Sequence, residues 1–192
     1  MELRYANDID LRLLCDFFER HGEEYTYDVG ERMEQEGEMP RWMAYVKQGG
    51  FKYVVHNICD RQNHVAWVSF ENEFVGDYPN LLCGKNPSSF TIEAMKTSVV
   101  LRVSVECLRQ FFDQSNETRE LRTRMSEYVA MQFQSRYQDF HRAMPRKRYE
   151  MLLERCPGIL NDLPLQDIAS ILNITPQTLS RIRKAIVYGM KK

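Results

Sequence analysis

Leu165-Gln166-Asp167-Ile168-Ala169-Ser170-Ile171-Leu172-Asn173-Ile174-Thr175-Pro176-Gln177-Thr178-Leu179-Ser180-Arg181-Ile182-Arg183-Lys184 reads as two short helices joined by a tight turn. The first starts near Pro164, a residue suited to a first turn. Its buried side is Ile168, Ile171 and Leu172, and Ala169 is small where a second helix must cross closely. Asn173 takes the turn, where a left-handed backbone is often needed and Asn tolerates it. Ile174 closes the corner. Thr175 is a good N-cap and Pro176 a good first helical residue. Leu179, Ile182 and Ile186 then form an apolar stripe, and the opposite face carries Gln177, Thr178, Ser180, Arg181 and Lys184.

That polar face has the chemistry to read DNA. Gln pairs with adenine edges, Arg with guanine, and Ser or Thr with bases or phosphates. The capped helix start presents amides on which a phosphate can sit. An ordinary helical hairpin with a solvated face needs neither a small residue at the crossing nor a cap at Thr175. The pattern therefore favours a helix-turn-helix.

Charge supports this placement. Residues 142–192 hold ten Lys and Arg against four acids, net +6, which leaves 16 bases and 23 acids in 1–141, net −7. A basic C-terminal segment on an acidic body suits a polyanionic partner.

Upstream the periodicity changes twice. Leu11, Leu14, Phe17 and Phe18 have helical spacing within residues 1–22. From 25 to about 103, short apolar runs (Trp42–Val46, Phe51–His56, His64–Phe70, Phe90–Ala94, Val99–Val103) alternate with Gly, Pro, Asn and Asp, as in an antiparallel barrel or jelly roll. Gly49-Gly50 reads as a hairpin turn between two of these strands.

Residues 104–143 contain no Pro or Gly and read as a long helix of about 50–60 Å, with Ser115-Asn116 as a possible break. One stripe is Leu121, Met125, Tyr128, Gln132 and Ser135; another is Val129, Phe133, Arg136 and Phe140. A small barrel cannot bury both, so one face is expected to pair with a second copy through Leu121, Met125 and Tyr128. The alternative is a helix lying wholly on its own domain. Pro145 ends the helix. The expected units are residues 1–103, 104–143 and 144–192.

Other chemistry is poorly supported. Cys15, Cys59, Cys83, Cys107 and Cys156 form no paired spacing and read as reduced, mostly buried thiols. A metal-dependent barrel enzyme needs clustered histidines. His56 and His64 are widely spaced, and His21 and His141 fall outside the barrel, so neither a metal nor catalysis is expected. Trp42 and Trp67 suit a core or a pocket wall. No apolar run approaches a membrane span, and Met1–Asp10 does not resemble a secretion signal, so a cytoplasmic protein with no membrane partner is expected.

In this order of parts the chain resembles the Crp/Fnr family of bacterial regulators, most specifically at Ile168-Ala169-Ser170 and across Thr175–Arg183. The resemblance implies an α+β protein: an N-terminal β-roll like a cyclic-nucleotide-binding domain, a dimerisation helix and a C-terminal helix-turn-helix. It implies a homodimeric transcription regulator, not an enzyme, with double-stranded DNA and RNA polymerase as partners. Gln177, Ser180 and Arg181 would read bases, and Thr175 and Thr178 would position phosphates. The alternative is a sensor whose helix-turn-helix serves only packing. Between Pro157 and Pro164 there is no room for the β-hairpin wing of many members.

The family's nucleotide pocket has Phe-x-Gly-Glu-Leu followed by Arg-Ser-Ala. Here Phe74-Val75-Gly76-Asp77-Tyr78 carries Asp for Glu, and Ser88-Ser89-Phe90 carries Ser88 where the Arg stands. Gly76, Asp77, Ser88 and Ser89 are the candidate effector pocket. A buried phosphate needs a cation; Ser88 has none, and Lys85 nearby reads as a loop lysine. Cyclic AMP is therefore not expected as effector, and no cofactor is implied.

Overall fold

The computed structural model describes residues 9–189. Readings that involve Met1–Asp8 or Lys191 and Lys192 lie outside the described residues.

A first helix α1 (Arg12–His21) buries Leu14, Phe17 and Phe18, as its spacing predicts. Eight strands follow: β1 (Glu23–Tyr27), β2 (Arg32–Glu34), β3 (Trp42–Gln48), β4 (Gly50–His56), β5 (Asn63–Phe70), β6 (Phe74–Val75), β7 (Thr91–Ala94) and β8 (Ser98–Ser104). They form two four-stranded sheets, β1-β8-β3-β6 and β2-β7-β4-β5, with every pairing antiparallel. The inward residues Val46, Phe51, Ile92, Ala94 and Val100 meet between the sheets. This is the expected jelly roll. A six-residue helix, α2 (Tyr78–Cys83), interrupts the strands after β6 and went unread in the sequence.

Gly49-Gly50 is not a hairpin turn. β3 and β4 belong to different sheets, so the chain crosses the roll at this corner. Gly49 has φ +102°, and a Cβ there would sit 2.2 Å from Ser98 Oγ. Ser98 ties the corner: the Gly50 N–H donates to its hydroxyl at 2.9 Å. Turn-like residues marked the bend correctly, but the strand on each side pairs with distant sequence.

The helical region is divided where Ser115 stands. α3 (Val105–Asp113) is followed by α4 (Asn116–Arg142), whose capping box joins Ser115 and Thr118. At 27 residues, α4 is about 40 Å long, shorter than the single helix expected. Its first turns are held on the roll: Leu121 and Met125, each 6% exposed, join Phe17, Phe18, Leu81, Leu108 and Phe112 in one core.

Beyond α4 come α5 (Pro145–Arg155), α6 (Ile159–Asp162), α7 (Leu165–Ile171) and α8 (Pro176–Gly189). The α6 turn occupies the stretch too short for a wing. The helical unit is not separate from the roll. Ile159, Ile168, Ile171 and Leu179 share a continuous core with Val54, Val65, Val68 and Met95 of the roll. Among the described residues, no helix is long and apolar enough to cross a membrane. Cys15, Cys59, Cys107 and Cys156 are free thiols. Only Cys156 of these is buried, and Cys59 is exposed, so the thiols are less enclosed than composition suggests. The Cys83 side chain lies outside the described set.

Gly49→Ala should destabilise the protein by about 2 kcal/mol or more, because the change combines a disfavoured backbone with a direct clash. Chemical denaturation checks this, and a loss under about 0.5 kcal/mol, the scale of an ordinary surface change, would show that the corner relaxes freely.

Candidate nucleic-acid interface and sensor cavity

The helix-turn-helix forms as its sequence dictates. Asn173 has φ +50°, in the left-handed region its side chain tolerates. The Ile174 N–H donates to the Ala169 carbonyl at 3.0 Å, closing the corner. Ala169 is fully buried at the crossing. Thr175 Oγ1 accepts the Thr178 N–H at 3.2 Å, the N-cap bond expected of it. Leu179 is fully buried, with Ile182 and Ile186 packed beside it.

The two helices divide their tasks. α7 faces the roll: the Ser170 hydroxyl donates to the Val65 carbonyl at 3.1 Å, and Lys52 Nζ bridges Glu93 at 3.0 Å and Asp167 at 3.2 Å. Lys96 reaches Asp162 at 3.2 Å. α8 turns its polar face outward, with Gln177, Ser180, Arg181 and Lys184 exposed and Thr175 at its start. Thr178 is half-buried, its hydroxyl 2.9 Å from that of Thr175. All six candidate DNA-binding residues therefore lie on or beside one helical face.

The dimer residues are distributed differently. Leu121 and Met125 are buried inside the chain, and Tyr128 is half-buried against a cavity. The apolar surface of Leu121 and Met125 is already used within the chain's own core, which leaves little of it to face a second copy. The exposed apolar residues of α4 are Met131, Phe133, Tyr137 and Phe140, at 45%, 52%, 66% and 40%. Phe133, Tyr137 and Phe140 share a face.

Between the roll and the middle of α4 lies a cavity of about 350 Å³. Gly76 and Asp77 line it, as do Trp67, Tyr128, Arg136 and Arg155. Trp67 thus serves as a pocket wall. Trp42 packs against the roll interior, with the Arg102 guanidinium 4.4 Å from its ring centroid.

Ser88 and Ser89 stand behind Asp77 and do not line the cavity. The Ser89 N–H donates to Asp77 Oδ2 at 2.7 Å, and Asn80 Nδ2 donates to the same oxygen at 2.9 Å. Ser88, 3% exposed, has its hydroxyl 3.1 Å from Glu34 Oε2, 3.3 Å from Asp77 Oδ2 and 2.9 Å from the Phe90 carbonyl. Lys85 is exposed and supplies no charge here.

Where the resemblance would place a cation for a cyclic phosphate, the structure therefore holds two carboxyls. Glu34 is 6% exposed, and its Oε1 has no hydrogen-bond partner among the described residues. Burial, only partly offset by the Ser88 hydrogen bond, pushes its pKa from 4.5 to about 7. Three acceptor oxygens crowd one hydroxyl proton, and a protonated Glu34 relieves the crowding. Nothing in the local sequence around Glu34 signals this contact, because Ser88 is 54 residues away.

The positive groups lie elsewhere. Arg136 on α4 and Arg155 on α5 both stack on Trp67, 3.2 Å and 4.1 Å from its ring centroid. Burial first, then the neighbouring Arg155 charge, lower the Arg136 pKa to about 9, so it remains a cation at neutral pH. Arg155 makes a long ion pair of 3.6 Å with Glu73. An Arg inside an apolar helical stripe was the one sequence signal for this group.

No family model matches the chain, and no curated protein matches it by sequence. Solved structures do match. FixK2 from Bradyrhizobium japonicum superposes with a TM-score of 0.73 at 16% identity, covering 88% of this chain and 85% of that one. CLP, a c-di-GMP-responsive global regulator from Xanthomonas campestris, gives 0.65 at 15%, covering 94% and 93%. The chain has the Crp/Fnr fold. A CooA mutant from Carboxydothermus hydrogenoformans also shares this fold, with 0.66 at 12% identity and 94% and 85% coverage. So large a structural overlap at so low an identity means that the layout is shared while most residues differ.

The raised Glu34 pKa carries a sign. A carboxyl that ionises at about 4.5 when unfolded and about 7 when folded imposes no penalty below pH 4.5. The penalty grows between those values and reaches about 3 kcal/mol above pH 7. Glu34→Gln should therefore raise the melting temperature at pH 8 and change it little at pH 4.5. Equal shifts at both pH values would mean that Glu34 titrates normally.

Proposed function

We propose that the protein is a homodimeric, DNA-binding transcription regulator whose DNA affinity is set by an effector in the cavity beneath α4, and that it is not an enzyme. One observation carries the reading. α7 is committed to the roll, whereas the capped α8 leaves Gln177, Ser180, Arg181 and Lys184 exposed. An outward Arg flanked by Gln and Ser contributes little to packing, which favours DNA binding over a helix-turn-helix kept only as a brace. The solved structures of regulators with this fold support the same reading.

The dimer face we assign is Tyr137 and Phe140, the part of α4 that projects beyond the cavity and the chain's own core. A two-fold contact there is self-complementary and sets two α8 helices to read half-sites about 34–36 Å apart. Cyclic AMP does not fit as effector, because the position that would meet its phosphate is bordered by Glu34 and Asp77. A negative charge brought there gains no cationic partner and lies beside the Asp77 carboxyl.

Site selection from a random duplex pool tests the DNA reading. Arg181→Ala should cost about 1–3 kcal/mol and relax preference at one base position. Absence of salt-sensitive binding to any duplex would refute DNA binding. For assembly, Tyr137→Glu combined with Phe140→Glu should give monomers in sedimentation at micromolar concentration where the wild type is dimeric. A wild-type monomer under those conditions would refute the dimer.

A further inference from the structure

Arg136 and Arg155 place two cations on a single indole at the edge of the cavity. We propose that the cavity takes a small ligand with a flat apolar body and a terminal oxyanion, carboxylate or phosphate, the anion held by Arg136 and Arg155 and the body lying against Phe90, Tyr128 and Val129. This deepens the regulator reading and rests on it for what binding does, though not for the binding itself.

The charges are undercompensated as they stand. A cation–π contact contributes about 0.5–2 kcal/mol, less than a desolvated guanidinium gains from a bidentate oxyanion. Glu73 reaches Arg155 only at 3.6 Å, and Arg155 Nε is buried without a hydrogen-bond partner among the described residues. The depressed Arg136 pKa reports the same deficit, burial beside a like charge. An oxyanion between the two guanidiniums removes the repulsion and offers acceptors to both planar forks. A cationic ligand is repelled at this end. A neutral one leaves the pair unchanged.

The rest of the cavity matches an apolar body. Phe90, Val129 and Phe133 line it together with Tyr128, and about 350 Å³ is enough for a ligand of one or two rings. Asp77, which also lines the cavity, already accepts hydrogen bonds from Ser89 and Asn80, so it does not call for a second charge on the ligand.

The two arginines stand on different parts of the molecule. Arg136 is on α4, Arg155 on α5 of the helical unit, and Glu73 in the roll. An oxyanion that replaces Glu73 as the partner of Arg155 moves the tether of α5 from the roll to α4. The ligand thereby biases how the helix-turn-helix sits on the roll, by as much as its affinity differs between the two arrangements.

Calorimetry on the full-length protein without DNA tests this, with 2-naphthoate and 2-naphthyl phosphate as anions and 2-naphthol and 2-naphthylmethylamine as neutral and cationic counterparts. At least one anion should bind about tenfold or more tightly than either counterpart, and the tighter anion identifies carboxylate or phosphate as the preferred group. Arg136→Gln and Arg155→Gln should each cost that anion about tenfold while leaving 2-naphthol unchanged. Glu73→Gln should strengthen anion binding several-fold, a gain that a misfolded variant cannot mimic. Anions that bind no better than 2-naphthol, or affinities indifferent to both arginines, would overturn the proposal. Such a failure leaves DNA binding untouched, and loss of DNA binding in Arg181→Ala leaves anion binding untouched.

Discussion

Leu121 and Met125 fix the long helix to the roll, and the remaining architecture follows from that contact. They sit in the first turns of α4, inside a core built with α1, α2 and α3. Once those turns are pinned, the direction of a 27-residue helix is set. Its middle spans the mouth of the roll and encloses a cavity, and its last turns project with Tyr137 and Phe140 uncovered. One apolar anchor therefore determines where a ligand can sit, which face a partner can meet and where the helical unit begins.

The helical unit returns to the roll through a second apolar contact, and polar links around it set its register. Val65 and Val68 meet Ile168 and Ile171, while Lys52 holds Asp167 and Ser170 reaches the Val65 carbonyl. These part-buried polar links contribute on the order of 1 kcal/mol each, so the core supplies most of the attachment. Arg155 adds a further polar link, reaching Glu73 at 3.6 Å beside the cavity.

What the sequence disclosed and what it concealed divide by distance along the chain. The turn at Asn173, the cap at Thr175, the crossing at Ala169 and the outward face of α8 all depend on neighbours within about one turn, and each stands where its residue type implied. Strands were visible as runs, but Gly49-Gly50 was misread because the partners of β3 and β4 lie far downstream. Periodicity separated two stripes on α4 without telling which would meet the roll. Leu121 and Met125 proved to face inward, since that choice depends on the shape of α1 and α3. The pocket was least legible. Ser88 was recognised as a missing cation, but the acid Glu34 and the Arg136–Trp67–Arg155 group assemble from separate parts of the fold.

The account turns on α8 being the surface that meets DNA while α7 stays on the roll. Amide hydrogen exchange, recorded with and without a duplex carrying the selected site, measures this division directly. The account predicts new protection over residues 175–184, with α7 and β5 protected equally in both states. Protection confined to the roll, or none over residues 175–184 at saturating duplex, would contradict it.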